Sequence, residues 1–413
     1  MAEAVAGAVV AEQIVSTGVE VGAAAAVARP TQPLKATLQK IATIAAQDTS
    51  LALARSHHTL TVIGKRAHLL GGKNPDGQLC AADVHSLSLS PEDPGPPYAC
   101  YPSLPAEDGS AGETLAPSPR WGHAAARRDR FLVVHGGANA GGRSIAEDAC
   151  LWLWDTETYG WTQIKPSSKD GPQAVHGHYI FVDERADVLY LHGGTNASGA
   201  TWKFDFKASS WSILPPSPEQ PAAAAFVDGV LYSIGMETGV HGYVHFMRIE
   251  EADKEAPWTN IYFPINPIAP GPTARPGGVL LPMGTGFGRK YLVYLPGRHK
   301  DATTQVPAAE AAREPAHSDI WTLQIFPEPY SAANLKDVVR DNLPGSFDSG
   351  LFDWAEVEVV PAEEETACQG KAHPGPRGFF GADAFPAETS AVLWGGLNEK
   401  GETESDGWVL RFK

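Results

Sequence analysis

His68-Leu69-Leu70-Gly71-Gly72 is a short apolar run that ends in two glycines. The chain returns to it as Val133–Gly137 (VVHGG), Tyr190–Gly194 (YLHGG) and Leu393–Gly396 (LWGG). Two worn copies, Leu231–Gly235 and Val293–Gly297, fall between them. Each copy follows a β-rich segment, and most precede a second β-rich run and then a tryptophan. Six units of this kind fill nearly the whole 413-residue chain. A repeat of roughly 50 residues with four strands reads as one blade of a propeller.

Other residues travel with the glycines. Arg120-Trp121-Gly122-His123 opens one unit, Phe131–His135 runs into Gly136-Gly137, Leu151–Trp154 alternates, and Trp161 follows. The next unit keeps the order with His176-Gly177-His178, Gly193-Gly194, Trp202–Phe206 and Trp211. The last has Arg377-Gly378-Phe379-Phe380, Gly395-Gly396 and Trp408. This arrangement resembles the kelch repeat of the galactose oxidase-like central propeller superfamily, over about residues 35–413. The resemblance implies glycines that let the second strand pass a crowded channel mouth. It also implies tryptophans packed between neighbouring sheets.

The expected fold is all-β: a six-bladed kelch-type β-propeller over residues 34–413. Its blades are placed near 47–105, 118–166, 173–216, 220–264, 274–361 and 375–413. The step between glycine anchors shrinks to 41 residues before Gly235 and grows to 99 before Gly396, so the fifth blade must hold insertions. Pro296–His317 and Phe326–Gly350 fit that role, since loops this long are functional or disordered. The last unit supplies only three strands. Residues 34–41 are therefore expected as its outer strand, closing the ring and covering a blade edge; a helix from Lys35 to Ala46 is the alternative. Residues 1–30 are Ala-rich and read as a helical extension that stops at Arg29-Pro30.

A net charge of −16 opposes a nucleic-acid partner, which needs a basic surface, and does not favour an anionic membrane. Glu3, Glu12 and Glu20 oppose a membrane span in the Ala-rich segment. Four scattered cysteines form no CxxC pair and no zinc spacing. No GxSxG elbow, HExxH or phosphate loop occurs. A copper radical site needs a cysteine–tyrosine crosslink that is not readable here. Glu237-x-x-x-His241 lacks the central acid of an iron-binding spacing. No cofactor or metal is expected. With no basic n-region at the start, a cytoplasmic location is expected; oligomeric state stays open.

In kelch-type propellers the segments before each inner strand and after each double glycine converge on one face. The resemblance thus points to Arg55, His57, His58, Arg120, Trp121, His123, His176, His178, Arg275, Arg377 and Phe379 before the strands. After the glycines, GGxN recurs in four units and adds Asn74, Asn139, Asn196 and Asn398. Arginine offers a rigid fork of donors to carboxylates, and asparagine both donates and accepts. Each type also has a packing role. Asparagine after Gly-Gly closes its own turn, arginines pair with carbonyls or acids of a neighbouring blade, and strand histidines bond to backbone.

Two functions follow. One is a protein- or peptide-binding module that uses the loop face. The other is a small-molecule accessory or tailoring enzyme with the channel mouth as active site. A deep pocket lined by Trp121 and Phe379 favours the second; a broad, shallow basin favours the first.

Overall fold

Short runs of Val, Leu, Ile and aromatic residues between the glycine turns form strands, as their branched and flat side chains suit a pleated surface. The computed structural model describes residues 31–41, 53–103, 116–195, 199–235, 243–262, 271–298, 316–342, 349–360, 373–385 and 389–413. The Ala-rich segment, Asn196, the Glu237/His241 pair and most of the first fifth-blade insertion lie outside them.

After β1 (Lys35–Lys40), five antiparallel sheets follow in chain order. The first holds β2 (Thr59–Ile63), β3 (Arg66–Leu70), β4 (Val84–Ser88) and β5 (Tyr98–Tyr101). The second holds β6 (Ala124–Arg128), β7 (Phe131–His135), β8 (Leu151–Asp155) and β9 (Trp161–Ile164). The third holds β10 (Tyr179–Asp183), β11 (Val188–His192), β12 (Thr201–Asp205) and β13 (Ser210–Leu214). The fourth holds β14 (Pro221–Val227), β15 (Val230–Gly235), β16 (Tyr243–Arg248) and β17 (Trp258–Tyr262). The fifth holds β18 (Leu280–Gly284), β19 (Lys290–Tyr294), β20 (Trp321–Ile325) and β21 (Trp354–Glu356).

The chain then runs through β22 (Glu358–Val360), β23 (Arg377–Gly378), β24 (Gly381–Ala384), β25 (Ser390–Trp394), β26 (Leu397–Asn398) and β27 (Gly407–Phe412). The sixth sheet is ordered β24-β25-β27-β1-β22. There β1 pairs antiparallel with β27, from Ala36 opposite Phe412 to Lys40 opposite Trp408, and β22 adds in parallel. Six blades close into a propeller. Their cores lie between sheets, where residues of neighbouring blades share clusters such as Val133 and Leu153 with Leu189 and Phe204.

The double glycines make the blade-to-blade joints. A Cβ on Gly71 would lie 2.9 Å from the His123 ring of the next blade, and one on Gly136 would lie 2.8 Å from His178. On Gly395 it would lie 3.1 Å from His58; on Gly193 it would meet Pro221 at 2.3 Å. The first glycine of each pair is thus a seat for the next blade. The second supports its own blade: a Cβ on Gly72, Gly137 or Gly194 would press on the Cβ of His58, His123 or His178 at 2.7–2.9 Å. Its amide reaches across the joint, from Gly72 to the Arg120 carbonyl, Gly137 to Val175 and Gly396 to Arg55, each at 2.9 Å. All eight glycines of the four full pairs have positive φ, which other residues adopt only with strain.

A histidine on the second strand of three blades faces a tryptophan of the next blade. His68 lies 5.3 Å from Trp154, His135 5.7 Å from Trp211 and His192 5.7 Å from Trp258. Trp211 and Trp258 return indole N–H bonds to the Ala149 and Pro215 carbonyls of the preceding blades. Trp211 is 6% exposed, whereas Trp161 is half-buried on Trp152. The second fifth-blade insertion carries the helix α1 (Ala332–Asn342), pinned by a buried pair in which Arg289 meets both Asp337 oxygens at 2.6 and 2.5 Å.

Truncating Trp211 to alanine is expected to cost ~3–5 kcal/mol in denaturant unfolding, as for large-to-small changes in a core, with Trp161→Ala costing roughly half or less. Equal losses contradict this placement of the two rings. Removing residues 1–41 exposes the edge of β27 and should lower the melting temperature by many degrees. Removing residues 1–30 leaves β1 in place and should cost far less. Similar melting of both truncations with the full chain contradicts a closing role for β1.

Candidate ligand-binding face

The residues that open the blades divide into two sets. Arg55, Arg120, Arg275 and Arg377 are each 1% exposed. Arg55 donates to the Gly71 carbonyl at 3.2 Å. Arg120 donates to Gly136 O at 2.8 Å and, as a fork, to both Glu147 oxygens at 2.9 and 2.6 Å. Arg275 holds the Asp319 carbonyl and carboxylate at 2.7 and 2.6 Å. Arg377 holds Gly395 O at 2.9 Å and Asp406 at 2.7 Å. An electropositive ring of these arginines at the mouth is therefore not what the fold builds. Arg55 serves a glycine turn of its own blade, Arg275 an acid, and Arg120 and Arg377 both.

His58, His123 and His178 are likewise buried, each 5% exposed, as the rings seated on the glycines. His123 Nε2 pairs with the Thr59 hydroxyl at 2.9 Å, and His178 Nε2 with His135 Nδ1 at 3.0 Å. Asn74, Asn139 and Asn398 close turns. Each Oδ1 accepts two backbone N–H bonds from the residues that follow, at 2.9–3.2 Å. The turn-closing role anticipated for GGxN is the one these three side-chain oxygens take.

The remaining four, His57, Trp121, His176 and Phe379, are half-buried and form a rim. A backbone relay places them. The N–H of Gly177 donates to Gly122 O, Gly122 to His57 O, His57 to Phe379 O and Phe379 to Gly277 O, at 2.7–3.0 Å. Each bond crosses from one blade to its neighbour, through blades three, two, one, six and five. All five residues have positive φ, between 56° and 69°. Glycine fills three of the positions without strain. His57 and Phe379 fill two at a cost of about 1–2 kcal/mol each, and their rings stack at 4.2 Å. Trp121 meets His57 edge-on at 5.4 Å, and His176 lies 5.2 Å from Trp121. His176 is fixed by Ser144 at 2.8 Å and Thr195 at 3.2 Å.

Two cations complete the rim. Lys73 Nζ sits 3.8 Å over the Trp121 ring, and the Arg298 guanidinium lies 5.7 Å from Phe379. Burial first, and then the charges of Lys73 and Arg298, push His57 down to about 3. Burial and Lys73 also lower His176. Both histidines are neutral at physiological pH, so the positive charge of the rim rests on Lys73 and Arg298. Neither cation belonged to the expected ligand set. Lys73 occupies the variable position of GGxN, whose other occupants are Ala138, Thr195 and Leu397. A bridge to Ser56 turns that position toward the rim.

Below the relay the inner strands enclose a channel cavity of about 860 Å³. Its lining begins at His58, His123, His178, Val279 and Phe380 and includes neither Trp121 nor Phe379 nor any of the four arginines. Among the described residues, no group of three or more His, Cys, Asp or Glu side chains gathers as metal ligands, and no helix is long and apolar enough to cross a membrane.

The family model of the KLHDC2/KLHL20/DRC7 Kelch-repeats domain matches residues 36–236. Residues 36–236 are kelch repeats, and the whole is a six-bladed kelch-type β-propeller. Serine/threonine-protein phosphatase BSL2 of Arabidopsis thaliana is 28% identical over 199 residues, which are 45% of this chain and 18% of that protein. The kelch chain thus spans less than a fifth of that relative's length. The solved structure of YjhT overlays with a TM-score of 0.53 at 13% identity, covering 87% of this chain and 97% of that one, a likeness of fold alone.

The kelch joints carry a pH dependence. Burial, helped by neighbouring positive groups, pushes His85, His123, His135 and His192 down to about 3 and His68 to about 4. In the unfolded chain they titrate near the ordinary value of about 6.5. The unfolded state therefore gains protons first as pH falls. Their contribution is complete above about pH 6.5 and is lost as pH drops toward the folded values, by up to ~1.4 kcal/mol per histidine per pH unit. The melting temperature should be level near neutrality and fall steeply between about pH 6.5 and 5. A level profile down to about pH 5 contradicts neutral histidines at the joints.

Proposed function

We propose that this kelch propeller is a binding module that takes a protein or peptide segment on its loop face. The observation that carries the reading is the rim of Phe379, His57, Trp121 and His176, set in a cross-blade backbone relay and flanked by Lys73. Half-buried aromatic rings supply rigid contact area at low entropy cost, the composition that dominates protein interfaces. Lys73 favours a segment that presents a carboxylate or other acceptor beside an apolar or aromatic side chain. The strain at His57 and Phe379 supports a role for the face, as bulky residues persist at positive φ where the surroundings over-determine them. The channel lining excludes the rim, so the rim favours an extended partner over a molecule swallowed whole. We carry no phosphatase activity over from the Arabidopsis relative; the match supports the propeller only.

A displayed library of random peptides, panned against the full chain, tests this. Enriched sequences should combine an acidic or terminal carboxylate with an apolar anchor. Their binding should weaken with added salt and fall about tenfold or more in Trp121→Ala and in Lys73→Ala, with melting temperatures near that of the parent. Enriched peptides that bind both variants like the parent contradict a rim-based site.

A further inference from the structure

The channel itself has features that the loop face does not use. Its volume, about 860 Å³, lies in the range of small-molecule sites, on the order of 300–1,000 Å³. Val62, Ala125, Phe181, Phe226, Leu281 and Met283 give it a mainly apolar wall. Three of the described lining residues are Asp or carry a basic chain: Asp383, Arg127 and Lys290. The two cations have acids of their own. Arg127 lies 3.5 Å from Glu184, and Lys290 pairs with Asp228 and Glu328.

Asp383 makes no ion pair among the described residues. Its Oδ2 accepts the Val62 N–H across the joint between blades six and one, and its Oδ1 accepts the N–H of Ala384, each at 2.8 Å. These bonds leave a lone pair on each oxygen. The surrounding strands enclose the carboxyl while its surface keeps partial contact with the channel. Burial pushes Asp383 up to about 6, against the pull of the two amides and of Arg127. A carboxylate in an apolar cavity with no cation in ion-pair contact is costly, and such groups are usually paired.

The lining shows where the channel meets exposed residues. At the loop end the lining stops one or two residues short of the backbone relay. At the other end it runs out through Arg127, Gly284, Thr285, Gly286 and Phe385, where Gly284 and Gly286 are exposed.

We propose that the channel is a second binding site, entered from the face opposite the aromatic rim, for a small organic ammonium ion whose apolar body packs on the inner strands while its charge meets Asp383. The site is independent of the peptide reading and stands or falls separately from it.

Calorimetry with 2-phenylethylammonium, against the neutral 2-phenylethanol, tests the proposal on the full chain. The amine should bind about tenfold or more tighter than the alcohol. Asp383→Asn, which keeps an acceptor for the Val62 amide, should bring the amine to the level of the alcohol. Gly286→Trp reads the route. A Cβ there has no atom within 4 Å, so the indole adds no clash, and on the proposed route it should weaken or slow amine binding. Trp121→Ala, on the opposite face, should leave it unchanged. Equal binding of amine and alcohol, no saturable binding at about 10 mM, or an Asp383→Asn protein that binds the amine like the parent each overturns the proposal. The comparison of the two probes on the unaltered chain decides the matter even if the asparagine variant fails to fold.

Discussion

The contact on which the rest of the structure depends is that between a glycine with no side chain and the ring delivered to it by the next blade. His58, His123, His178 and Pro221 sit where a Cβ on the first glycine of the preceding blade would stand. The second glycine holds the base of its own blade's histidine and sends its amide across the joint. These contacts fix how far apart neighbouring inner strands lie. The width of the channel and the position of every loop at its mouth follow from that spacing. The arginines serve the same joints. Arg120 clamps the Gly136 carbonyl from its own blade, and its own carbonyl receives Gly72 from the blade before.

One residue before the joint, the same geometry serves the surface. The relay from Gly177 to Gly277 demands a left-handed backbone at each step. Where glycine answers, at Gly122 and Gly177, the position is bare; where His57 and Phe379 answer, a ring is held out over the mouth. A blade-opening segment such as Arg55–His58 or Arg120–His123 is therefore a two-part device. Its arginine and histidine build the joint, and the two residues between them decide what the face presents. The opposite end of the channel is shaped by other parts: the Gly284–Gly286 turn and the blade-five insertion with α1. The two faces can thus change independently.

The blade register was legible because glycine and tryptophan recur with the joints, and each joint has a steric demand that few residues meet. The split among the site residues was less so. Arg120 and Trp121 are adjacent and both polar-capable, yet one turns inward to Glu147 while the other lies on the rim. Which way each points depends on the positive φ at Gly122 and on an acid 27 residues away, neither of which a repeat pattern displays. Lys73 stood outside the expected ligand set because the position it fills varies from unit to unit. Asp383 resembles any strand-end acid in the sequence; its isolation shows only once six inner strands are closed around it.

We place the partner of this kelch propeller on the rim of His57, Trp121, His176 and Phe379. Amide hydrogen exchange of the full chain, with and without a peptide selected on it, measures that directly. Slowed exchange is expected to centre on residues 55–58, 73–74, 120–123, 176–178 and 377–379, with the outer strands and the Gly284–Gly286 turn unchanged. Protection confined to the outer strands or to the opposite face would contradict it.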